Sequence, residues 1–354
     1  MRCRYCFYAD ETALREEGDT GIMSDETAEV LIRRAFEARP EAVSFAFQGG
    51  EPTMSGLAYF ERFMQAVKDA NSRHIKIHYS LQTNGLALTP AWAALFVREK
   101  ILVGVSMDGS QAIHDELRKD AGGRSTWSRI LKNLKMLQRE GAEVNILCVV
   151  TKKVARQPEQ VYRALKQTGI RYLQFIPCLD PIGAGRGSEP WSLTPEDYGY
   201  FLCGLFDVWY RDFMKGDYIS IRLFDDYVHM AMGEQPGTCS TSGACGEYLV
   251  VEGDGSLYPC DFYCLDEWKL GNVNDDTLEA VLSGDLEKRF LEEGLQHPAE
   301  CVRCRYRQLC YGGCKRDWVQ REDGNHNYYC QAFQQFFGYA AGRMTQIAKG
   351  LSRR

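Results

Sequence analysis

Apolar residues along the first 180 positions switch between a period of three to four and a period of two, and the switches mark alternating helices and strands. Behind Ser24, a residue type suited to an N-cap, Ala28, Leu31, Ile32 and Ala35 fall on one helical face. Val43 to Gln48 reads as a strand. Phe60, Phe63, Met64 and Val67 then repeat at helical spacing, and His74 to Gln82 reads as a strand with Ile75, Ile77, Tyr79 and Leu81 on one side. A helix carrying Trp92, Leu95 and Phe96 leads to Ile101 to Ser106, a nearly all-apolar run that suits a central strand covered on both faces. Helices with Ile130, Leu134 and Leu137 and with Val161 and Leu165 bracket the strand Val144 to Val150, and Tyr172 to Ile176 closes the series. The alternation predicts an α/β fold on a mostly parallel sheet. A helix but no strand precedes the first of these five strands, so the missing strand would precede Cys3.

Further on, Thr194-Pro195-Glu196-Asp197 supplies an N-cap, a proline at the first helical position and acids in the first turn, opening a helix with Leu205, Phe206, Trp209 and Phe213. From about Pro236 the texture changes to short Gly-rich and Cys-rich segments, with Tyr248 to Val251 and Leu257 to Pro259 as a hairpin around Gly253-Asp254-Gly255. A last helix starts near Cys330, and its stripe Phe333, Phe336, Phe337 and Ala340 is expected to pack on the βα barrel. The reading gives three regions: residues 1–235, 236–330 and 331–354.

Charge narrows the partners. With 42 basic against 48 acidic residues in 354, the net charge of −6 has the wrong sign for a strong phosphate-backbone binder. The most apolar stretch, Tyr198 to Tyr210, is interrupted by Asp207 and falls short of the roughly 18 residues of a membrane span. Neither nucleic acid nor membrane is an expected partner. The first fifteen residues are polar and charged with no apolar core of a secretory signal, which makes a cytoplasmic chain with reduced thiols the expectation.

Of the 14 cysteines, nine lie between Cys239 and Cys330 and two at the very start, Cys3 and Cys6. Cys301-x2-Cys304-x5-Cys310-x3-Cys314, followed by Cys330, presents soft thiolate ligands in closely spaced pairs, suited to zinc or iron–sulfur centres. Adding Cys239, Cys245 and Cys260 makes eight, enough for two four-cysteine centres; spacing alone leaves zinc and iron–sulfur open. Cys148 and Cys203 sit where cysteine acts as a small hydrophobe, and Cys178 and Cys264 are unassigned. Ile182 to Gly187 is rich in glycine but opens no helix, so a flexible lid or loop is expected there rather than a dinucleotide fingerprint.

Cys3-Arg4-Tyr5-Cys6-Phe7-Tyr8 resembles the cluster loop of the radical S-adenosylmethionine enzymes, C-x3-C-x2-C, with Cys3 and Cys6 as its second and third cysteines and Tyr5 as the aromatic before the third. Three thiolates on a [4Fe–4S] cluster leave one iron open for the cofactor. The first cysteine would lie two residues before Met1, and with the first strand also absent the expectation is a chain truncated at its front rather than a degenerate relative. Gly49-Gly50-Glu51-Pro52 directly follows a strand, like the motif that holds the cofactor's amino group. By the same resemblance Ser106 and Arg118, the latter expected on a short helix, contact ribose and carboxylate, and Leu179 contacts adenine; Asp108 stands beside Ser106. The implied fold is a partial (β/α)6 barrel, TIM-like and lacking its first strand, with a C-terminal SPASM domain.

Within this superfamily the chain resembles the anaerobic sulfatase-maturating enzymes, through CRYCFY at its start and Cys260-Asp261-Phe262-Tyr263-Cys264. The resemblance implies two auxiliary [4Fe–4S] clusters, one on Cys239, Cys245, Cys260 and Cys314 and one on Cys301, Cys304, Cys310 and Cys330, with Asp261 as general base and Tyr8 and Gln48 as substrate contacts. It implies oxidation of a cysteine or serine side chain in an unfolded or nascent sulfatase to Cα-formylglycine, with S-adenosylmethionine as cofactor and a flavodoxin- or ferredoxin-type electron donor. The alternatives are another SPASM peptide modifier that forms thioether or carbon–carbon crosslinks, and a non-catalytic zinc-organised binding module.

Overall fold

The computed structural model describes residues 1–16 and 18–352. Its strands up to the Cys-rich region are β1 (Arg2–Cys3), β2 (Ala42–Phe47), β3 (Lys76–Thr83), β4 (Ile101–Ser106), β5 (Arg118–Lys119), β6 (Val144–Val150), β7 (Tyr172–Pro177) and β8 (Ser220–Ile221). Six of them hydrogen-bond in the order β2-β3-β4-β6-β7-β8, with parallel register between β2 and β3, β3 and β4, β6 and β7, and β7 and β8. The five strands read from apolar periodicity are all present. The sixth, β8, is two residues long, too short to show any alternation. Strand β4 is central as its composition predicts, although Leu102 near its start is exposed rather than covered.

The chain divides into two compact units. The first comprises Met1–Ser106, Leu117–Asn145 and Glu247–Phe290; the second comprises Met107–Glu116, Ile146–Gly246 and Leu291–Arg354. In the first unit, Ser24 caps the helix Asp25–Glu37 by accepting from Thr27 N. That helix and Leu57–Ala70 bury Ala28, Ile32, Phe63 and Val67 against Phe45, Phe47, Ile77 and Tyr79 of β2 and β3. Apolar side chains spaced at 3.6 on the helices and at 2 on the strands meet here in one layer. The Cys-rich hairpin forms as β9 (Val250–Val251) against β10 (Ser256–Tyr258), and β11 (Gly271–Asn272) adds a third antiparallel strand.

In the second unit Thr194 caps the helix Pro195–Met214, its hydroxyl accepting from Asp197 N at 3.1 Å. The last helix, Cys330–Leu351, packs on this helix and on Arg222–Ala231, which periodicity did not reveal. Phe336 is fully buried among the rings of Phe206, Phe224, Tyr227 and Phe337. The stripe Phe333, Phe336, Phe337 and Ala340 is expected on the βα barrel, and it packs on these two helices, which offer an aromatic face of their own. A second hairpin, β12 (Trp318–Arg321) with β13 (Gly324–Asn327), was also not read from the sequence. Its polar composition lacks the alternation that marks a half-buried strand. Ile182 to Gly187 is a loop that opens no helix, and within it Arg186 Nη2 donates to Arg316 O at 2.7 Å while its guanidinium lies 5.1 Å from the Tyr328 ring. Among the described residues no helix is long and apolar enough to cross a membrane.

Removing the Phe336 ring leaves a cavity in a fully buried aromatic cluster. Phe336→Ala is expected to cost about 3–5 kcal/mol in anaerobic denaturant unfolding, and Phe333→Ala, only half-buried, less than half of that.

Candidate active site

The first unit gathers the chemistry around the ends of β2, β3 and β4. After β2 the chain turns through Gly49 and Gly50, both at positive φ (+78° and +34°), into Glu51. A side chain is disfavoured in that backbone region, which explains why glycines occupy both positions. Glu51 holds the turn in place. Its Oε1 accepts from Thr53 Oγ1 at 2.7 Å, Thr53 N at 3.2 Å and Thr83 Oγ1 at 2.6 Å, and its Oε2 accepts from Asn84 N at 2.7 Å. The loop after β2 is thereby tied to the end of β3 by one carboxylate, and the Gly49-Gly50 backbone is presented with no side chain over it. At the end of β4, Ser106 Oγ accepts from Gln82 Nε2 at 3.0 Å.

The cysteine loop is anchored beside this turn. Strand β1 pairs antiparallel with β5, Cys3 opposite Arg118, and Arg4 N donates to Leu117 O at 3.1 Å. Arg118 was expected on a short helix; the structure places it in β5, one residue after the helix Gln111–Leu117 ends. The strand pairing aims its guanidinium at Tyr5, with Nη1 donating to Tyr5 Oη at 2.8 Å, and Arg118 is only 5% exposed. Cys3 and Cys6 are linked by a turn, Cys6 N to Cys3 O at 3.3 Å, and Cys6 is the N-cap of the helix Phe7–Leu14. That helix delivers Phe7 onto Phe262, ring centroids 5.0 Å apart, and Tyr8 onto the Gly49 backbone. Burial first, then Asp261 and Glu11, hold the Tyr8 phenol well above its ordinary range, so it stays protonated.

Asp261 completes the constellation. Gln48 Nε2 donates to its Oδ2 at 3.2 Å and Tyr248 Oη donates to its Oδ1 at 2.9 Å. Both donors are neutral, and among the described residues Asp261 makes no ion pair with lysine or arginine. Tyr8, Gln48 and Asp261, assigned to one rim from the sequence, are thus brought together. The sequence places Tyr248 only at the start of a hairpin, and the signal for its position is the register of that hairpin. Val250 pairs with Tyr258, so continuing the ladder two residues sets Tyr248 opposite Cys260.

The second unit holds most of the remaining thiols. Cys301, Cys304, Cys310 and Cys330 line one recess together with Arg307 and Asn327. They line a space rather than meet at a point: among the described residues no three His, Cys, Asp or Glu side chains converge as on a single ion. Burial, with neighbouring thiols adding to it, pushes Cys310 up to about 12 and Cys301 up to about 11. Thiols that raise one another in this way fit a cationic centre that would bind them as thiolates. Backbone amides already point at sulfur, Tyr306 N to Cys304 Sγ and Arg316 N to Cys314 Sγ, each at 3.4 Å. Cys239, Cys245 and Cys314 belong to this unit and Cys260 to the first. Leu179, just past β7, is also in the second unit. Cys178 and Cys264 are buried, and burial raises both thiols.

Comparison with known proteins begins with family models: residues 1–165 match the radical SAM superfamily, and residues 239–305 match an iron–sulfur cluster-binding domain, SPASM. The cysteine-type anaerobic sulfatase-maturating enzyme of Clostridium novyi (strain NT) is 41% identical over 356 residues, covering 100% of this chain and 95% of its own. The chain belongs to the anaerobic sulfatase-maturating enzymes. A serine-type member from Bacteroides thetaiotaomicron is 32% identical, over 99% of this chain and 89% of its own. The solved structure described as native anSMEcpe with bound AdoMet and Cp18Cys peptide superposes with a TM-score of 0.94 at 40% identity, covering 99% of this chain and 96% of that one. This sulfatase-maturating enzyme therefore has the radical SAM fold followed by a SPASM domain, and the zinc-organised binding module is set aside.

Glu51→Ala removes one acceptor from four donors. It is expected to destabilise the protein by about 2–3 kcal/mol and to raise amide exchange across residues 49–56, measured on the full chain by hydrogen–deuterium exchange.

Proposed function

We propose that this enzyme oxidises a cysteine side chain of a sulfatase polypeptide to Cα-formylglycine, with Asp261 as the general base. The observation that carries the reading is Asp261 held by two neutral donors, Gln48 and Tyr248, next in sequence to the cluster-binding Cys260. Cysteine is preferred over serine as the target because identity to the cysteine-type relative, 41%, exceeds that to the serine-type one, 32%.

When bound, S-adenosylmethionine with its [4Fe–4S] cluster would supply the chemistry for removing a hydrogen from the target Cβ, and the two auxiliary [4Fe–4S] clusters would supply a sink for the remaining electron. Cys3 and Cys6 would supply thiolates to the first cluster. The backbone of Gly49 and Gly50 would hold the cofactor's amino group, with Glu51 fixing that turn. Arg118, steadied by Tyr5, would offer its planar fork to the cofactor carboxylate, and Ser106 and Leu179 would contact ribose and adenine. Cys239, Cys245, Cys260 and Cys314 would hold one auxiliary cluster, and Cys301, Cys304, Cys310 and Cys330 the other.

The chain's own chemistry is proton transfer and alignment. Asp261 takes the thiol proton, which requires it ionised and within hydrogen-bond reach of the sulfur. Loss of that proton, the Cβ hydrogen and one electron leaves a carbon–sulfur double bond, which water converts to the aldehyde with release of sulfide. Gln48 and Tyr8 border the same base and orient the substrate. The polypeptide enters as an unfolded or nascent segment, and a flavodoxin- or ferredoxin-type protein supplies the electron. On this reading residues 1–235 would serve as the radical SAM region and 236–330 as the SPASM domain, with the helix Cys330–Leu351 after them.

The test is anaerobic incubation of the reconstituted enzyme with matched sulfatase peptides bearing Cys or Ser at the target position, followed by mass spectrometry. The Cys peptide is expected to give formylglycine faster than the Ser peptide, and Asp261→Asn to lower that rate at least about a hundredfold while S-adenosylmethionine still binds. A crosslinked peptide in place of the aldehyde would overturn the reading.

A further inference from the structure

Tyr248 stands outside every motif that identifies the family, yet its hydroxyl touches two groups at once. Oη lies 2.9 Å from Asp261 Oδ1 and 3.3 Å from Cys260 Sγ. The ring is 40% exposed, so the residue is not fixed there by core packing. What places it is the β9–β10 ladder. The hairpin turns through Gly255 at φ +87°, pairs Val251 with Leu257 and Val250 with Tyr258, and so carries Tyr248 opposite Cys260. Phe262, two residues beyond Cys260, is fixed separately by Phe7. The short segment Cys260-Asp261-Phe262 is therefore gripped at both ends, and its middle residue has the Gln48 amide on one oxygen and the Tyr248 hydroxyl on the other.

We infer that Tyr248 is a positioning residue of the oxidation: one hydroxyl orients the base Asp261 and hydrogen-bonds the cluster ligand Cys260, so that proton acceptor and electron acceptor are held in a fixed relation. This rests on the reading of Asp261 and Cys260 given above. The physical grounds are separate for the two contacts. A carboxylate hydrogen-bonded through both oxygens cannot swing out of line with its substrate, whereas one held only by Gln48 can rotate about χ2. A donor to a ligating sulfur withdraws charge from it and makes the cluster easier to reduce. A phenol has a single proton to give, so the two acceptors share it, and its loss touches both functions together.

Tyr248→Phe removes the hydroxyl and keeps the ring, and the full chain, reconstituted anaerobically, is the protein to test. Iron and sulfide content and the circular dichroism spectrum are expected to match wild type. With the Cys peptide, kcat should fall about tenfold while KM stays within about twofold, the size of effect typical for residues that orient a ligand or base. In an EPR-monitored redox titration with S-adenosylmethionine present, the midpoint potential of an auxiliary cluster should move to a more negative value. A wild-type kcat, or unshifted potentials, would overturn the inference. Should the wild-type enzyme convert no peptide, the proposed oxidation fails on its own account, and the redox titration alone then decides on Tyr248.

Discussion

One carboxylate, Asp261, is held through both of its oxygens, and the proposed reaction depends on that grip. Asp261 follows Cys260 directly in the chain, so a shift in either moves the other. Orientation comes from two neutral donors, the Gln48 amide and the Tyr248 hydroxyl. This pairing brings no formal positive charge to the carboxylate. It also couples distant parts of the sequence, since Gln48 comes from the end of β2 and Tyr248 from the approach to β9.

The same economy of anchors recurs around the residues proposed to hold the cofactor. Glu51 is a hub with four donors, and the glycines before it keep their backbone uncovered because that hub fixes the turn from behind. Arg118 is buried and pointed by the short β1–β5 ladder at Tyr5. In each case a polar side chain that resembles a ligand contact also determines where a backbone segment lies. On the proposed reading, substitutions at Glu51 or Arg118 would combine a loss of binding with a loss of geometry, and only a structural readout separates the two.

Much of this architecture was legible in the sequence, and the gaps have physical causes. Strands β2, β3, β4, β6 and β7 alternate or run apolar over at least six residues, long enough for their period to show. Strand β8 has two residues, and β12 and β13 are polar, so neither leaves a hydrophobic trace. The rim grouping of Tyr8, Gln48 and Asp261 was legible because each sits at a fixed offset from a motif. Arg118 was placed on a helix because the helical pattern runs up to Leu117, and only the pairing with Cys3 draws the next residue into a strand. Tyr248 escaped notice for a different reason. Its role depends on hairpin register, which no single residue displays.

The position from which the substrate loses its hydrogen decides the proposed reaction. Incubating the reconstituted enzyme with a sulfatase peptide deuterated at the target cysteine Cβ, then analysing the 5′-deoxyadenosine by mass spectrometry, reads that step directly. Deuterium in the 5′-deoxyadenosine, in proportion to the formylglycine formed, is the predicted result. Unlabelled 5′-deoxyadenosine accompanied by formylglycine would contradict it.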